Sequence, residues 1–156
     1  MENQEINEYR TRLLNQLEAT ADAFCAACKA VPDPFAPTEE DGWNTHQLAA
    51  HARDVQVHVY GQRVRRCVEE DAPVFPNFDN TFWNAEHYRA DEPLDAVLDV
   101  FMGDMRQIVP WLRKLPSTAW SRPSRHAVYG EFAMQHWVER MLAHIKEHLA
   151  TVQKVK

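Results

Sequence analysis

The chain has 156 residues, with 23 Asp and Glu against 17 Lys and Arg and a formal net charge of −6. That length holds one domain, residues 1–156, with a core large enough to fold without staples. The acidic balance disfavours broad contact with a nucleic-acid backbone, and no apolar run approaches the roughly 20 residues of a membrane span.

The first helix is expected over residues 4–30, where Ile6, Tyr9, Leu13, Leu17, Ala21, Phe24 and Cys28 recur at helical spacing. Cys25 and Cys28 form a C-x-x-C in mid-helix, with no second pair to complete a zinc or redox motif, and read as small core residues. Three cysteines, an odd number, give no disulfide framework, and the opening residues lack the basic and apolar regions of a leader. A cytoplasmic protein is expected. Val31-Pro32-Asp33-Pro34 ends the helix.

A second helix is expected from Trp43-Asn44 to about Glu70, with Asn44 as N-cap and Gln47 as its capping-box partner. Its apolar line is Leu48, Ala52, Val55 and Val59, flanked by His51. Arg63, Arg65 and Arg66 read as a solvated face. Residues 71–92 form a long connection rich in Phe, Trp and Tyr, expected to pack over one end of the protein and to carry function or a short helix of its own. Asp91-Glu92-Pro93 opens a third helix, whose core face is Leu94, Val97, Leu98, Phe101, Met105, Ile108 and Leu112. Pro110 is expected to kink or end it. After a second loop over 115–130, a fourth helix runs from about Glu131 to Val152. Four glycines in the whole chain leave little room for an all-β fold. Four amphipathic helices without a strand pattern predict an all-α four-helix bundle, and the long second connection allows a topology other than up-and-down.

Chemistry concentrates at His144-Ile-Lys-Glu-His148. Two histidines four apart on a helix present their rings on one face. Met134, Trp137, Met141, Ile145 and Val152 form an apolar stripe that contains His148 and has His144 at its edge, so these imidazoles turn toward a core where they need a partner. A metal ion is such a partner. Bundle sites take ligands from facing helices, which makes His51 the third donor if the second and fourth helices are antiparallel. Three imidazoles suit zinc, nickel, iron or copper and leave coordination positions open for chemistry. Asp54, His58 and Glu147 are weaker candidates for orienting a ligand or moving a proton, and Trp137, Trp83 and Tyr88 for walling a substrate pocket. His46, His87 and His126 read as solvated. The string H-x-x-E-H also matches an inverted zinc-protease motif, but too little chain follows to supply that motif's downstream carboxylate.

Several stretches together carry a family resemblance: Trp43 through Asp54, the Pro73 to Tyr88 loop with Phe78-Asp79 and Trp83, Arg106, Trp120-Ser121-Arg122, Gly130-Glu131-Phe132, and Ala143 through Leu149. In order and spacing the chain resembles the DinB/YfiT-like superfamily of metalloenzymes. The resemblance implies a four-helix bundle, often a homodimer, with one metal-binding His from the second helix and two from the fourth: His51, His144 and His148. It implies a transferase that works on a small-molecule substrate with a low-molecular-weight thiol, and the metal expected at the site is zinc or nickel, or else iron or manganese. A metal-activated-water hydrolase and a non-catalytic metal- or ligand-binding bundle are the alternatives.

Overall fold

The computed structural model describes residues 3–155. Helix α1, Gln4–Ala30, is capped by Asn3, whose side chain accepts from the Glu5 and Ile6 amides. Its buried face starts at Leu13 and runs through Leu17, Ala21 and Phe24 to Cys28, whereas Ile6 and Tyr9 are exposed. The expected core face therefore loses its first two turns, where α1 meets α6 through surface polar contacts such as Tyr9 with Glu139. Cys25 and Cys28 are free and buried, and burial pushes their thiols up to about 11 and about 12. Neither is a thiolate at neutral pH.

Helix α2, Thr45–Val55, starts on the expected capping box. The Gln47 amide donates to Asn44 Oδ1 at 2.7 Å, and the Asn44 amide to Gln47 Oε1 at 2.9 Å. One π-helical turn, Gln56–Tyr60, joins it to α3, Gly61–Glu69, so the second rod is continuous but not regular. Helix α4, Asn80–His87, lies within the long connection. Helix α5, Leu94–Lys114, buries the expected face from Val97 onward, with Leu94 half-buried, and continues through Pro110, which is on its exposed side. Helix α6, Met134–Gln153, buries every member of the expected stripe, His148 included.

Around the bundle the neighbours are α1 with α5 and α6, and the α2–α3 rod with α5 and α6. Helices consecutive in sequence are thus not all consecutive in space, as the long second connection allows. Phe24 and Phe101 meet edge-to-face at 5.6 Å inside one continuous core.

The all-α bundle also carries a small sheet that no alternating pattern in the sequence marks. Strands β1, Val74–Phe75, β2, Pro123–His126, and β3, Gly130–Ala133, form a small sheet in the order β1-β2-β3. β1 runs parallel to β2, and β2 pairs with β3 antiparallel, His126 opposite Gly130. Glu131 to Ala133 are therefore extended, and α6 begins three residues later than expected. Gly130, at φ +94°, makes the hairpin turn in a region that other residues rarely adopt. The sheet buries Ser124, whose hydroxyl donates to the Phe132 carbonyl and accepts from Trp137 Nε1, both at 2.8 Å. That bond fixes the Trp137 indole at the start of α6.

Candidate metal centre

His51 leaves the middle of α2, and His144 and His148 leave the second half of α6. Their Nε2 atoms converge: His51 to His144 is 2.9 Å, and His148 to His144 is 3.0 Å. The rings stand 4.4–5.0 Å apart between centroids and steeply inclined to one another. Among the described residues these three are the group of side chains able to hold a metal ion.

The electrostatics of the cluster fit a cation. His148 is 4% exposed, and its Nδ1 lies 3.2 Å from Glu40 Oε2. A carboxylate accepts only, so Nδ1 carries the proton and Nε2 points its lone pair at the other two rings. Burial, then the neighbouring His148, pushes His51 down to about 4. His144 is driven well below the ordinary histidine range, first by burial and then by His148, His51 and Arg140. His51 and His144, which resist protonation, and the Nε2 lone pair of His148 thus face one another at hydrogen-bond distance. A divalent ion resolves this by accepting all three lone pairs.

Glu40 is held in place by a tight loop. The Thr38 amide and hydroxyl both donate to the Trp43 carbonyl, at 2.8 and 2.6 Å, and the Trp43 amide donates to the Glu40 carbonyl at 2.8 Å. Thr151 Oγ1 donates to the same Glu40 oxygen at 2.9 Å. From this loop the Trp43 ring also meets His51 edge-on at 5.4 Å. Neither Glu40 nor Trp43 was expected at the site. The signal was chemical rather than periodic, since a metal-binding histidine needs an acceptor for its second nitrogen.

Two clefts meet at His144. One, of about 590 Å³, extends toward His126 between Phe78, Phe132 and Trp137. The other, of about 430 Å³, is lined by Glu40, Asp41, Glu147 and the three histidines. Tyr60 and Arg140 line both. Tyr60 reaches the His144 ring at 5.7 Å because the π turn adds one residue to the rod and rotates its downstream face. His58, a candidate for orienting a ligand, is exposed and packs against Trp83 at 5.0 Å.

Of the weaker candidates, Glu147 and Trp137 line the clefts and the others are engaged elsewhere. Asp54 accepts from Arg53 Nε at 2.9 Å and from Trp83 Nε1 at 3.1 Å. Tyr88 bonds His46 Nδ1 at 2.7 Å, and His46 Nε2 donates to the Glu92 carbonyl at 2.6 Å. His46 is therefore a buried clamp rather than a solvated residue, at 1% exposure. His126 is buried too, with its Nδ1 accepting from the Val128 and Tyr129 amides. His87 is exposed, as expected. Arg63 leaves the solvated face assigned to it and lies inside, its guanidinium 4.7 Å from the Trp137 ring centre.

The family model of the DinB superfamily matches residues 5–152, and the chain belongs to that superfamily. Among solved structures the fold is similar to YfiT from Bacillus subtilis, described as a probable metal-dependent hydrolase with an unusual four-helix bundle topology. The TM-score is 0.83 at 17% identity, over 99% of this chain and 88% of YfiT. No curated protein matches the chain.

Proposed function

We propose that this member of the DinB superfamily is a metal-dependent enzyme in which His51, His144 and His148 hold a divalent transition metal and a small molecule reacts in the cleft beside them. The observation that carries the reading is the convergence of three Nε2 atoms, 2.9 and 3.0 Å apart, on the wall of a cleft. Zinc or nickel is the first choice for three imidazoles, which also suit iron and copper; manganese, which prefers oxygen ligands, fits them less well. When bound, such an ion supplies Lewis acidity, lowering the pKa of a water or thiol and polarising an electrophile.

The chain's own groups do the rest. Glu40 keeps His148 in one tautomer and orientation. Glu147, exposed on the smaller cleft one residue before His148, takes the nucleophile's proton and hands it to the leaving group. Arg140 and Tyr60, on both clefts, orient the substrate across His144.

Hydrolysis is the reading this arrangement favours. Besides Glu40, which is engaged with His148, the carboxylates Asp41 and Glu147 line the smaller cleft and offer bases to a water molecule. The description of YfiT as a probable metal-dependent hydrolase points the same way. Thiol-dependent transfer is the second reading. Its support is the family resemblance and the meeting of two clefts at His144, which leaves room for a small thiol beside a substrate. On the same resemblance the chain pairs as a homodimer, and it works in the cytoplasm, where its three thiols stay reduced.

Elemental analysis of protein purified without added metal tests the centre. About one equivalent of a transition metal is expected in the parent and none in His148→Ala. Equal metal in both proteins would overturn the assignment. A screen of chromogenic esters and amides, with and without added cysteine, then separates hydrolysis from thiol transfer.

A further inference from the structure

We infer that the larger cleft beside His144 takes a small carboxylic acid with an apolar body, its carboxylate held by Arg63 with help from Arg140. This names a substrate class for the proposed enzyme and rests on that reading for its chemistry, though not for its binding.

The charge on the cleft walls is one-sided. In a chain of net charge −6, no Asp or Glu is among the described residues lining this cleft, whereas Arg63 and Arg140 both are. Its walls between them are Val55, Phe78, Phe132 and Trp137. His126 and His136 also face the cleft, and burial lowers both below the ordinary histidine range, so they stay neutral at neutral pH.

Arg63 is the unusual member. It is 8% exposed, yet its hydrogen-bond acceptor among the described residues is one backbone carbonyl, Pro76 O, at 3.2 Å. The guanidinium otherwise lies over aromatic rings, Trp137 at 4.7 Å and Phe75 at 5.6 Å. Arg53, Arg65, Arg66, Arg89, Arg113 and Arg122 each reach a carboxylate, although all are more exposed. A guanidinium has five N–H donors, and a buried cation without a counter-charge is costly. An anion entering the cleft removes that cost. The planar fork of Arg63 matches a carboxylate in particular, and the aromatic walls disfavour the stronger hydration of a phosphate dianion.

The neighbouring cleft carries the opposite sign, with Glu40, Asp41 and Glu147. An acid is therefore drawn to the Arg63 side and repelled from the other. Its scissile end then lies toward His144, where the two clefts meet.

The test is calorimetric titration of the full chain with 3-phenylpropionate, its neutral amide and phenyl phosphate, each with and without EDTA. The acid is expected to bind about tenfold more tightly than the amide, the difference a charge-assisted hydrogen bond makes. Arg63→Gln is expected to remove that preference while leaving amide binding unchanged, and Arg140→Gln to reduce it less. Acid binding that survives EDTA and His148→Ala upholds the pocket even if the metal assignment fails. Acid binding abolished by EDTA would place the carboxylate on a metal and overturn the role of Arg63. Equal affinity for acid and amide, or tighter binding of phenyl phosphate, overturns the carboxylate assignment. Should Arg63→Gln fail to fold, the acid-to-amide ratio in the parent decides alone.

Discussion

Glu40 Oε2 reaches His148 Nδ1 at 3.2 Å, joining a loop before α2 to the last turns of α6. The same oxygen accepts from Thr151 at 2.9 Å, so it is aimed by both a hydroxyl and an imidazole. This contact sets the tautomer that leaves His148 Nε2 free to donate its lone pair.

Glu40→Gln should therefore weaken metal binding about 10- to 100-fold, as loss of such an oriented acceptor commonly does. The amide keeps its size and can still bond Thr151, so the metal-free protein should melt close to the parent. Competition with a calibrated chelator measures the affinity. Unchanged affinity would mean that Glu40 has no part in orienting His148.

Gly61 occupies the first position after the π turn. A Cβ built there would stand 2.4 Å from the Gln56 carbonyl oxygen and 2.9 Å from Asp104 Oδ2. The carbonyl is backbone and cannot swing away. Asp104 is itself tied to Gln56 Nε2 at 2.8 Å and Arg65 Nη2 at 2.9 Å, linking the rod to α5. Gly61→Ala should cost about 1–3 kcal/mol through overcrowding, although alanine is ordinarily the better helix former. Urea unfolding of the two proteins checks this, and a variant as stable as the parent would contradict the crowding at the π turn.

The bundle and the three histidines were legible because periodicity marks them. His144 and His148 share one helix, and the stripe from Met134 to Val152 shows which way that helix faces. The capping box at Asn44 and Gln47 fixed the start of α2. The strands were not legible, since segments of two to four residues are too short for an alternating pattern. Val74–Phe75 finds its partner near His126 only because the bundle brings the two loops together. Residue spacing also cannot reveal a π turn, so the positions from Gln56 onward do not keep the face that a regular helix from Thr45 would give them. Arg63 was hidden for a different reason. It lies in an Arg-rich run, and only packing distinguishes the buried guanidinium from Arg65 and Arg66 beside it.

Removing the metal should destabilise the fold. An ion that binds only the folded chain contributes RT ln(1 + [L]/Kd), about 2.7 kcal/mol at a hundredfold excess over Kd. For a domain of this size that corresponds to roughly 5–10 °C in Tm. Scanning calorimetry of metal-loaded protein, with and without EDTA, should show a drop of that size in the parent and none in His144→Ala. Equal melting with and without chelator would argue against a tightly held ion.

Acid should destabilise the protein partly through His126. Its Nδ1 accepts the Val128 and Tyr129 amides at 3.1 and 3.2 Å, which requires a neutral ring with its lone pair free. Burial first, and then Arg63, lowers its pKa below the ordinary histidine value. In the unfolded chain that value is about 6.5. The folded pKa is the lower of the two, so the stabilisation is complete above about pH 6.5. It declines as the pH falls from there through the folded pKa, because the unfolded chain takes up a proton that the folded chain refuses. Asparagine at 126 can offer the two amides an oxygen near the position of Nδ1, but it does not titrate. The Tm of the parent should therefore fall more steeply between pH 7 and pH 5 than that of His126→Asn, with both measured in EDTA to remove any contribution from the metal centre. Parallel curves would show that His126 binds its proton equally in both states, and the hairpin turn would then owe nothing to its neutral form.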